Sequence, residues 1–95
     1  AACKQKGVTI LSVDGGCGGV ASVKEGIIGA TSQQYPGKMA SEGVTAIKNY
    51  ATNGTKPTTS PGLDYNNTGV QLVTDKPVAG VKSITSAEGA QQCWG

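Results

Sequence analysis

The chain has 95 residues, 37% of them hydrophobic, with aromatics at 4% and no Phe, so it has room for one small domain whose core must come from Val, Ile, Leu and Ala. Eight lysines, no arginine and six acids give a formal charge of +2 dispersed along the chain, which argues against nucleic acid and disfavours anionic substrates, since both call for clustered guanidinium groups. No apolar run approaches the ~20 residues of a membrane-spanning helix, and the opening AACKQKG does not read as a signal or transit peptide.

Val8 to Val13 is an apolar, β-branched run that predicts a buried strand, and it emerges into a loop at Asp14-Gly15-Gly16. An acid at the carboxyl end of a parallel strand stands where α/β sheets bind ligands, so Asp14 is a candidate site residue as well as a candidate turn former. Gly18 to Glu25 predicts a short helix with Val20 and Val23 inward, closed by Gly26. Ile27 to Ser32 predicts a second strand that delivers Gln33 and Gln34 to the start of the only long helix. Pro36 suits the first position of that helix, and Gly54 suits its left-handed closure. Between them Met39, Ala40, Gly43, Val44, Ile47, Tyr50 and Ala51 make an apolar stripe at helical spacing.

The segment TKPTTSPGLDYNN after Gly54 lacks periodicity and predicts a loop. Thr68 to Thr74 predicts a third strand with Val70 and Leu72 on one face and Val73 on the other. Thr85 and Glu88 have the spacing of a capping box for a last short helix ending near Cys93. Alternating strands and helices imply an α/β fold, a small mainly parallel sheet with flanking helices and right-handed crossovers.

Chemistry-bearing motifs are sparse. Gly16-x-Gly18-x-x-Ala21 formally satisfies a dinucleotide fingerprint, yet the acid that should hold a ribose is replaced by Gln33 and Gln34. The absence of histidine removes the usual hydrolase triad, and three cysteines without a CxxC spacing do not compose a zinc site. No catalytic residue, metal ligand or cofactor is assigned, and the expectation is a protein that is not an enzyme. Cys17 and Cys93 are each either a small buried hydrophobe or one half of a disulfide. The bridge is expected in oxidised protein, with Cys3 free or making intermolecular adducts; in the chain-entropy model it would contribute about 4 kcal/mol and would call for an oxidising compartment.

The stretches VTILSVDGG, GIIGATSQQYPGKMASEGVTAI and TGVQLVTDKPV, in that order, resemble the carboxyl-terminal part of periplasmic sugar-binding proteins of bacterial ABC transporters, in the ribose, galactose and fructose group. The resemblance covers nearly the whole chain and implies a partial type I periplasmic binding protein fold. It implies that Asp14 hydrogen-bonds sugar hydroxyls and that a glutamine before the helix start does the same, Gln34 by motif position and Gln33 as the register alternative. It also implies that residues 1-34 and 68-95 belong to the carboxyl-terminal lobe and residues 35-67 to a helix and linker returning to the amino-terminal lobe. The expected function is delivery of a neutral monosaccharide to an ABC permease membrane component, in the periplasm. Alternatives are a small α/β enzyme holding a nucleotide on the Gly16 to Ala21 loop, or a structural fragment without ligand. The resemblance further implies that most of the family's amino-terminal lobe and the first part of its carboxyl-terminal lobe are not among these 95 residues. The isolated chain is therefore expected to bind sugar negligibly and to cover its helical stripe either by folding the helix back on its own strands or, the favoured expectation, by forming a homodimer.

Overall fold

In the computed structural model, which describes residues 7–95, the chain runs β1 (Leu11–Asp14), α1 (Cys17–Lys24), β2 (Ala30–Gln33), α2 (Pro36–Asn53), β3 (Gln71–Val73) and α3 (Ser86–Ala90). Two compact units divide it: one runs up to Gln34 and resumes at Val70, and the other is Tyr35–Gly69. Cys3 lies outside the described residues.

The first unit is a small α/β structure around a three-stranded sheet of order β1-β2-β3. β1 and β2 are parallel, with Leu11 opposite Ala30 and Asp14 opposite Gln33. β3 is antiparallel to β2, with Thr31 opposite Val73 and Gln33 opposite Gln71. The sheet is thus mixed, and the expectation of a mainly parallel one is corrected at β3. The chain leaves β2 and enters β3 at the same end of the sheet, and such a return produces an antiparallel neighbour without a crossover. Ile84 adds a single bridge beside Val73, its N–H donating to Leu72 O at 2.8 Å while its carbonyl accepts from Thr74 N at 2.9 Å.

One face of this sheet carries the core. Ser12, Thr31 and Val73 share it by strand alternation and pairing, and Ser12 Oγ donates to Thr31 Oγ1 at 2.8 Å. Val20 and Val23 of α1 are buried, as are Val73, Ile28 and Ala30. α3 approaches so closely that a methyl group on Gly89 would stand 3.0 Å from Val73 Cγ1 and 3.6 Å from Val20 Cγ1. The opposite face is bare at β1: Leu11 is 69% and Val13 73% exposed. The reading of Val8 to Val13 as a buried strand is therefore corrected, since among the described residues β1 is an edge strand with a cover on one side only.

Two boundaries also move. Ile27 and Ile28 lie before β2, because their N–H groups donate to Ser22 O in the turn that Gly26 closes with a φ of 75°. Residues that look like the start of a strand are used to finish α1, and the strand proper is the polar segment Ala30–Gln33. β3 shrinks to Gln71–Val73; Val73 is fully buried, whereas Val70 lies outside the strand and is exposed.

In the second unit α2 begins on Pro36 and ends where Gly54 takes a φ of 71° and its N–H donates to Tyr50 O. Residues 55–67 form no helix or strand, but they are not featureless: Ser60 N donates to Tyr65 O at 2.9 Å, and Asn66 Nδ2 donates to Glu42 Oε2 on α2 at 2.6 Å. The apolar stripe is real in spacing, yet α2 buries no residue, and Val44, Ile47 and Tyr50 are all exposed.

α3 is short and depends on its first turn. Thr85 accepts from Glu88 N, and the Glu88 carboxylate accepts from Thr85 N at 2.8 Å, a complete capping box. Asp75 Oδ1 accepts from Ser86 N at 2.7 Å. The Ser86 N–H and hydroxyl hold the Asp75 carboxyl below its ordinary range, with Lys24 adding a smaller pull. Thr85 does the same for Glu88. Thr85→Ala removes one half of the box and is expected to lower stability by about 1 kcal/mol, measured by urea unfolding. Depressed carboxyl values also set a sign in pH: the stabilisation of α3 is present above the ordinary carboxylate range and disappears as pH falls through the lower folded-state values. Amide protection at Gly89, which donates to Thr85 O, should hold from neutrality down to that range and fall below it; protection that is flat in acid contradicts this account.

Candidate functional site

The parallel pair β1 and β2 ends on Asp14 opposite Gln33, so the residues at and just beyond these ends share the carboxyl edge of the sheet, where α/β proteins place ligands. Asp14 is the only non-glycine residue with a positive φ among the described residues, at 101°. Such a conformation costs of the order of 1 to 3 kcal/mol and persists only where neighbours impose it. Gln34 is the neighbour that does so. Its backbone N–H donates to Asp14 O at 3.0 Å and its Nε2 donates to Asp14 Oδ1.

Asp14 is exposed and Gln34 half-buried. Among the described residues no further hydrogen bond reaches the Asp14 carboxylate or the Gln34 amide, which leaves Oδ2 as an acceptor and the amide with one donor and one acceptor. The pair presents mixed donors and acceptors on a fixed spacing, which is what a polyhydroxylated neutral ligand needs.

Gln33 does different work. It is fully buried, and its Nε2 donates to Gly15 O at 2.9 Å and to Gly89 O at 3.0 Å, while its Oε1 is buried with no partner among the described residues. Strand alternation sends Gln33 inward and leaves Gln34, beyond the strand, at the edge. Of the two glutamines considered for ligand contact, Gln34 is the one beside Asp14, and Gln33 braces the loop behind it. Gly15 completes the brace: its φ is 63°, and a Cβ there would stand 2.4 Å from Gln33 Cα.

The tail joins this corner. Cys17 and Cys93 are bridged, with their Cα atoms 4.9 Å apart. Cys17 N donates to Trp94 O at 3.0 Å and Trp94 Nε1 donates to Gln34 O at 3.2 Å. A Cβ on Gly16 would lie 3.9 Å from the indole ring. Sequence reasoning attached no role to Trp94; the sole signal was the chain's single tryptophan standing next to a cysteine. The second unit has a solvent-open cleft of its own of about 340 Å³, lined by Glu42, Asn49, Lys56 and Asn66 among others.

Among the described residues no cluster of three His, Cys, Asp or Glu is placed to hold a metal, and no helix is long and apolar enough to cross a membrane. No protein-family profile, curated protein or solved structure matches the chain.

Gly15→Ala combines a positive φ with a backbone collision that cannot be relieved by a side-chain rotation, so it is expected to destabilise by at least about 2 kcal/mol. Chemical denaturation checks the magnitude. A variant as stable as the parent would show that the Gln33 brace is not tight.

Proposed function

We propose that this chain is the carboxyl-terminal segment of a solute-binding protein that binds a neutral monosaccharide for ABC-transporter import, with Asp14 and Gln34 as sugar-contacting residues. The observation that carries the reading is the Asp14 and Gln34 pair at the carboxyl edge of two parallel strands, held in an unfavourable backbone conformation with hydrogen-bonding capacity left over. A carboxylate accepts from paired hydroxyls, and an amide both donates and accepts. The reading draws also on the resemblance of the VTILSVDGG and GIIGATSQQYPGKM stretches to periplasmic sugar-binding proteins. It makes an ABC permease the partner and the periplasm the location.

A nucleotide on the Gly16 to Ala21 loop fits less well. The helix start that would cradle a phosphate has its first N–H, that of Cys17, committed to Trp94 O, and the indole covers Gly16.

Titration calorimetry of the whole protein that carries this segment, against pentoses, hexoses, NAD and ATP, tests the proposal. Asp14→Ala should weaken sugar binding by roughly tenfold or more and Gln34→Ala by about fivefold, because hydrogen bonds to a charged group contribute about 1.5 to 3 kcal/mol and neutral ones about 1 kcal/mol. Nucleotide binding without sugar binding, or an unchanged sugar affinity in the Asp14 variant, overturns it.

A further inference from the structure

The tail beyond α3 is held at few points. Gln91 and Gln92 still donate to Glu88 O and Gly89 O, as the last turn of α3 requires. After them the tail is joined to the rest by the Cys17–Cys93 bridge, the Cys17 N to Trp94 O bond and the Trp94 Nε1 to Gln34 O bond, with the indole packed beside Gly16. Two of the three join the tail to the loop that starts α1, and the third ends on the residue that holds Asp14. A segment fastened by two hydrogen bonds alone opens readily, because each contributes little against the conformational freedom that the backbone regains. The covalent bond is what makes the other two persist.

We propose that the Cys17–Cys93 disulfide is a redox-sensitive latch that positions the Asp14 and Gln34 corner through Trp94. Closed, it seats the indole over Gly16 and keeps the Gln34 carbonyl occupied, so that Gln34 presents its amide to Asp14 in one arrangement. A dithiol reductant opens it. One thiolate of the reductant attacks a sulfur of the bridge and displaces the other cysteine, and the reductant's second thiol then resolves the mixed disulfide. Two electrons and two protons pass to the protein, leaving Cys17 and Cys93 as thiols and the reductant as a cyclic disulfide. Both cysteines are half-buried, within reach of a small dithiol. The corner is then ordered only after the chain meets oxidising conditions, as an exported protein does. The latch stands on the bonds at the corner and does not depend on which ligand the corner takes.

Amide and indole hydrogen exchange of the chain, followed by NMR before and after dithiothreitol, tests the latch directly. Reduction should lower protection of the Trp94 indole N–H and the Gln34 backbone N–H at least tenfold more than that of Thr31 and Val73 in the sheet. Trp94→Phe, which retains the disulfide and removes the indole donor, should shift the side-chain amide resonances of Gln34 while leaving the sheet amides in place. Equal loss of protection everywhere on reduction would make the bridge a global staple and overturn the latch. So would unchanged protection at the corner, or a Trp94→Phe variant whose Gln34 signals do not move.

Discussion

The fold of the first unit hangs on one buried side chain. Gln33 is wholly enclosed, and its amide nitrogen joins the carbonyls of Gly15 and Gly89, so a single polar group fixes the loop after β1 and the axis of α3 against the end of β2. A buried amide contributes in this way only while its donors are used; without these two carbonyls the same burial would be destabilising. The two glycines are part of the device. Gly15 has no room for a Cβ because the Gln33 backbone fills that space, and Gly89 has little because Val73 does. Around this polar centre the buried apolar side chains among the described residues are few and small: Val20, Val23, Ile28, Ala30 and Val73.

Where local chemistry decides, the sequence was readable. Pro36, Gly54 and the Thr85 and Glu88 pair mark helix ends through backbone geometry and hydrogen bonds that need no distant partner, and α2 and α3 lie where these residues put them. Strands were less legible because their limits depend on partners. Ile27 and Ile28 have strand-like side chains, but their amides were already committed to the Ser22 carbonyl in the closing turn of α1. The direction of β3 was invisible for the same reason: it depends on which end of the sheet the chain re-enters, and residues 55–67 carry no signal of that. The carboxylate at Asp14 could be read from its place after an apolar run. The roles of Trp94 and Gly89 could not, since they act through contacts across 60 and 56 residues of chain respectively.

Apolar periodicity proved a guide to which residues share a face, and not to whether that face is covered. Leu11 and Val13 alternate with Ser12 as a half-buried strand should, yet it is the serine that meets the packed side. On α2 the stripe through Val44, Ile47 and Tyr50 has the right spacing and remains exposed. Each such side chain would contribute roughly 1.5 to 3 kcal/mol on burial. These faces are consistent with a chain that meets further apolar surface, either from another copy or from a longer polypeptide, and the proposed solute-binding architecture would supply the latter.

Gln33 and Gln34 are identical residues with opposite tasks, and the difference comes from the strand ending between them. Alternation carries Gln33 into the core, where its amide is spent on backbone carbonyls. One residue later the ladder has stopped, and Gln34 turns its amide to the Asp14 carboxylate and its carbonyl to the Trp94 indole. Gln33 therefore supplies rigidity and Gln34 supplies exposed hydrogen-bonding groups, and each needs the other. The strained φ of Asp14 is tolerable because the next residue, Gly15, is clamped by Gln33, while the opposite flank of the corner is held by the tail. A backbone kept in an unfavourable region by two separate restraints, with polar groups facing outward, is an arrangement that stability alone would not favour. This is why a ligand-binding role is proposed for Asp14 and Gln34, whereas Gln33 braces the loop behind them, although all three are polar and stand at the same sheet edge.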